Sequence, residues 1–151
     1  MRYRMKPDDF TAQETLRDTT MWIATWAVLY GVVTVLGGDP AWVSPPYRTA
    51  LLVPYSPESW GWLLMAIGFA IFYAMFTGKN RVAVWALLMG SVWNLFFALS
   101  FLNEYKRAIS GEVPTGGIGL GPVVTYIFIA GVFILRVSTY RRKNATQEIA
   151  P

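Results

Sequence analysis

"RVAVWALLMGSVWNLFFALSFL" (Arg81–Leu102) decides the fold. After Arg81 it carries no charge for 21 residues. An uncharged apolar run of about 18 residues or more is long enough to cross a membrane as one helix. Yet the run holds Asn94 near its middle, with Ser91 and Ser100 on either side. At helical spacing, Ala83, Leu87, Gly90, Ser91, Asn94 and Ala98 share one face. Trp85, Met89, Val92 and Phe96 fall on the other. Small and polar residues therefore coincide. In an apolar solvent, close backbone approach and interhelical hydrogen bonds hold helices together. That face should point into protein, where three settings are open: its own bundle, a neighbouring copy, or a water-lined passage.

Three more runs of this kind flank the first. The spans are read as 20–36, 57–77, 81–102 and 120–137. Of 151 residues, 54% are hydrophobic and 16% aromatic, and the 13 Lys/Arg and 9 Asp/Glu lie between or at the edges of these runs. The expected fold is all-α, an integral membrane bundle of four transmembrane helices over 20–137. Residues 1–19 form a polar N-terminal segment and 138–151 a basic tail.

Local signals set the expected ends. Thr11 and Glu14 have capping-box spacing. Gly37-Gly38-Asp39-Pro40 should stop the first helix. Ser56 should cap the second, with Pro57 in its first turn and Gly78 closing it. Asn80 can cap the third, and Pro122 suits the first turn of the fourth. Four prolines forbid a long helix in 37–58, where "TALLV" (Thr49–Val53) is too short to span. Ala27 and Gly31 make one small-residue pair, and Ala66, Ala70 and Ala74 repeat at four-residue steps as candidate packing positions.

Charge sets the expected orientation. With four spans, both termini share a side. That side carries Arg2, Arg4, Lys6, Arg17, Lys79, Arg81, Arg136, Arg141, Arg142 and Lys143. The other has Arg48, Lys106 and Arg107. Lys/Arg-rich segments stay in the cytoplasm, so both termini should be cytoplasmic. A net charge of +4 is then explained by lipid headgroups, and no nucleic-acid partner is expected.

The chain has no cysteine and no histidine, which removes disulfides, thiolate chemistry and imidazole ligands or bases. No titratable group lies mid-span, where proton relays and ion-coupled carriers need one. "GGIGLGP" (Gly116–Pro122) has proline where a dinucleotide fingerprint needs its last glycine, and reads as a loop. Glu104, Lys106 and Arg107 read as a solvated charge cluster. No enzyme, cofactor or metal is expected.

Size, four spans, the turn "TGKNR" (Thr77–Arg81) and the tail "YRRKN" (Tyr140–Asn144) resemble the small holin-like membrane proteins of phage lysis regions, above all in phages of Gram-positive hosts. The resemblance implies accumulation in the bacterial cytoplasmic membrane, then lateral assembly of a homo-oligomer. A sudden switch to a permeable state would follow, with Gly90, Ser91 and Asn94 lining or registering the assembly. Two other roles fit the same residues: a non-catalytic accessory subunit or assembly factor of a larger membrane complex, and a small channel.

Overall fold

A computed structural model describes residues 7–42, 47–112 and 119–149. Side chains are described over 15–37 (Leu16 excepted), 47–112 and 119–141. Four long helices follow in order: α1 (Pro7–Trp42), α2 (Glu58–Thr77), α3 (Asn80–Ile109) and α4 (Gly121–Ile149), with a short 3-10 turn at Ala50–Leu52 between α1 and α2. All four are long and apolar enough to cross a membrane, and their arrangement suggests a multi-pass membrane protein.

Each helix buries one stripe whose steps alternate between three and four residues. On α1 it is Thr20, Ala24, Ala27, Gly31 and Thr34. On α2 it is Gly61, Leu64, Gly68 and Ile71. On α3 it runs Ala83, Leu87, Gly90, Asn94, Phe97, Phe101, Glu104 and Ala108, and on α4 Val123, Tyr126, Ala130, Phe133, Val137 and Tyr140. A repeat of this period keeps a seam facing its partner along the whole helix. α3 is the central element: 56% of its apolar window is buried, against 28–33% in the other three.

Glycine sets the α1/α2 spacing. A methyl built on Gly61 would lie 2.7 Å from the Gly31 carbonyl oxygen, and one on Gly68 would lie 2.8 Å from that of Ala24. The backbones touch, as small residues allow. The α3/α4 pair uses a different device, a ring in a notch: Phe133 packs where a side chain on Gly90 would stand. α1 and α4 meet chiefly through side chains, with Trp26 and Phe133 edge to face at 6.3 Å.

Several helix ends differ from the sequence expectation. α1 begins at Pro7 and runs through Gly37-Gly38-Asp39-Pro40 to Trp42. Two glycines weaken a helix without forbidding it. Pro40, two residues from the end, forfeits only the bond to the Leu36 carbonyl. α3 continues past Leu102 to Ile109, and α4 carries the basic tail as helix to Ile149. Helix α1 runs continuously across residue 20 and α4 across residue 137. Ser56 does not cap α2; its hydroxyl donates to the Ala50 carbonyl at 3.2 Å, and Pro57 takes the N-cap position. Asn80 opens α3 after Lys79, without a side-chain cap. Gly78 closes α2 in the left-handed region at φ 69°, as its position implied. The Thr11/Glu14 pair, Gly116 and Gly117 lie outside the described side chains.

Candidate functional site in the bundle interior

The polar face of α3 turns into its own bundle. Ala83, Leu87, Gly90, Ser91, Asn94 and Ala98 are all buried, while Trp85, Met89 and Val92 are exposed. Phe96 differs from expectation: it is half-buried and stacks on Trp60 of α2 at 4.8 Å. The Ser91 hydroxyl donates to the Ala130 carbonyl of α4 at 3.1 Å. Asn94 is 0% exposed, and its Nδ2 donates to the Gly90 carbonyl of its own helix at 2.8 Å. Among the described residues its Oδ1 has no hydrogen-bond partner, and neither does Nε1 of buried Trp93. A bare buried amide oxygen loses its hydration without compensation. Asn94 therefore contributes little to stability through hydrogen bonding.

Aromatic rings fill the axis beyond it. Trp93 stacks on Phe97 at 4.3 Å, Phe97 on Tyr126 at 5.6 Å, and Tyr126 on Phe101 at 5.5 Å. The Tyr30 and Tyr126 hydroxyls meet at 2.9 Å, one donating to the other, which joins α1 to α4. Tyr47 packs edge-on against Phe101 at 5.2 Å. Burial, with the Tyr30 phenol nearby, pushes the Tyr47 phenol above its ordinary pKa range.

The α1–α2 connector closes this end. Glu104, expected in solvent, is only 1% exposed. The Thr49 hydroxyl donates to its carboxylate at 2.6 Å, Asn103 donates to Thr49 at 3.2 Å, and Arg107 approaches both carboxylate oxygens at 3.4 Å. Arg107 also donates to Glu112 at 3.2 Å. Lys106 stays exposed. The Ala50 carbonyl accepts from both Ser56 and Trp60 Nε1, the latter at 3.0 Å. "TALLV" thus packs on the bundle, held by Glu104 on one side and Trp60 on the other.

The other singled-out residues are scattered. Ala66 is exposed, Ala70 half-buried and Ala74 buried, so this stripe is not the seam against α1; Gly61 and Gly68 are. Lys79 donates to the Tyr73 hydroxyl at 2.7 Å, and Arg81 and Arg141 are exposed. The side chains of Arg2, Arg4, Lys6, Arg142 and Lys143 lie outside the described residues. Among the described residues, no group of three or more Asp and Glu side chains comes together to hold a metal ion. No protein-family model, curated protein or solved structure matches this chain.

Proposed function

We propose that the chain is a multi-pass protein of the bacterial cytoplasmic membrane, with both termini in the cytoplasm, that acts through its outer faces in a holin-like manner. The closed interior carries this reading. The axis is filled by Trp93, Phe97, Phe101 and Phe133, and Ser91 and Asn94 are turned inward, so among the described residues the axis of one copy is packed with side chains. Activity then has to arise where copies, or other proteins, meet the outside of the bundle. On α2 that outside presents Trp62, Phe69, Tyr73 and Phe76 around Ala66, an exposed small residue that lets another helix approach. The basic residues of the terminal side favour the orientation.

In this reading copies accumulate as closed bundles. Permeability requires them to open, because mid-span exposed residues are apolar or aromatic apart from Thr125 and would not wet a passage. That same apolar exterior favours a second reading, an accessory subunit whose faces bury against foreign helices. Inducible expression in a bacterium separates the two. The holin-like reading expects an abrupt collapse of membrane potential and a fall in viability once the protein accumulates. Cells that keep both at high membrane levels would reject it. Co-purification with fixed partners after gentle solubilisation would then establish the second.

A further inference from the structure

Because α1 and α4 meet chiefly through side chains, a groove of about 290 Å³ opens between them. Trp22, Ile23 and Trp26 line one wall and Ile129, Val132 and Phe133 the other, with Thr19 at one end. The Trp26–Phe133 contact forms its floor, and the Tyr30–Tyr126 bond closes the chain's interior beyond it. At about 30 Å³ per water-sized group, it admits roughly ten methylenes. Trp22 stands 72% exposed beside it, a large ring with little protein against it.

Arg136 lies one turn past Val132 on the same face of α4, near the end of the apolar segment. It is half-buried, and it makes no hydrogen bond or ion pair among the described residues. Asp18, one turn before Trp22 on α1, does not pair with it. A guanidinium without a partner among the described residues, beside an apolar slot, matches a phosphate carried on an acyl chain. Arginine grips phosphate through parallel N–H donors, and its stem can lie along apolar surface.

We propose that the α1/α4 groove is a binding site for one anionic phospholipid, an acyl chain against Trp22 and Phe133 and the phosphate on Arg136. The proposal rests on the chain being membrane-inserted. Choline lipids carry the same phosphate but neutralise it with their own ammonium, so the site should prefer phosphatidylglycerol.

The test uses the full chain in mild detergent, titrated with phosphatidylglycerol or phosphatidylcholine of identical acyl chains. Melting is followed by tryptophan fluorescence, and lipid retention by native mass spectrometry. A ligand that binds only the folded state raises its melting temperature. Phosphatidylglycerol should raise it more than phosphatidylcholine and survive as a single adduct. Arg136→Gln should weaken phosphatidylglycerol binding about fivefold, the value of one cation at a lipid surface, with melting in detergent alone unchanged. Ile129→Trp, which fills the groove, should reduce retention of both lipids. The triple change Arg141→Gln, Arg142→Gln, Lys143→Gln should leave the preference intact. Equal response to the two lipids, a preference that survives Arg136→Gln or is lost with the tail, or an equal shift from inorganic phosphate would each overturn the site. Carbonate extraction of membranes tests insertion separately: release of the chain rejects the membrane reading, whereas lipid indifference in a carbonate-resistant chain rejects the site alone.

Discussion

Gly61→Leu is expected to abolish recovery of a folded, monodisperse protein. The neighbours of Gly61 are the Gly31 carbonyl oxygen at 2.7 Å, the Val35 side chain at 2.6 Å and Thr34 at 3.1 Å from any added methyl. A side chain in the way can rotate, but a helix backbone cannot. α1 and α2 would have to part along the seam that also joins Gly68 to Ala24. Overpacking ordinarily costs about 1–3 kcal/mol, and parting a backbone seam exceeds that range. Loss should appear as low yield, aggregation on gel filtration and a depressed helix melt. Ala66→Leu, on the exposed side of the same helix, adds similar bulk and should fold and melt as wild type. If Gly61→Leu melts like the parent, the glycine seam is wrong.

Glu104→Ala is the second large effect. The carboxylate accepts from Thr49 across the bundle and from Arg107 on its own helix. The Arg107 contacts are long and that side chain is one-third exposed, so they contribute little. The part-buried Thr49 bond is made to a carboxylate, a class worth about 1.5–3 kcal/mol. Removing the acceptor leaves the Thr49 donor bare and frees the connector. Stability should fall by about 2–3 kcal/mol in denaturant melts. Trypsin should cut faster at Arg48, which is exposed but held beside Thr49. Thr49→Val should reproduce most of the loss, and the double variant should lose little more, since the two share one interaction. Glu104→Ala with parental stability and slow cleavage would show that the connector is held elsewhere.

The sequence made the four helices and the inner face of α3 legible, because long uncharged runs and the three-and-four-residue spacing are strong signals. The ends were less so. Apolar length marks where a helix can sit in lipid, not where its backbone bonding stops, so the polar turns Asn103–Ile109 and Ser138–Ile149 read as loop and tail. Glu104 was misread for the same reason. The stripe from Phe97 to Phe101 continues with Glu104 and Ala108, and extending it would have placed the acid inside. The alanine repeat misled through geometry. Each four-residue step advances roughly 40° around a helix, so Ala66, Ala70 and Ala74 drift from outside to inside. Gly61 and Gly68, seven apart, stay nearly in line. The connector's hold on Glu104 was not legible, since it joins residues 55 apart in sequence.

The central claim is that the polar face of α3 belongs to the interior of a single bundle. Asn94→Leu tests it most directly, because leucine matches the size and branching of asparagine and removes only the amide. Melting in detergent and complex size in native membranes are the two readouts. With Oδ1 unpartnered and Nδ2 serving only its own helix, melting should stay within about 1 kcal/mol of wild type or rise, and complex size should not change. A folded variant that no longer assembles would show Asn94 joining copies and would contradict the claim, whereas a loss of stability well beyond that margin would give its amide a partner within the bundle and overturn only the hydrogen-bonding account.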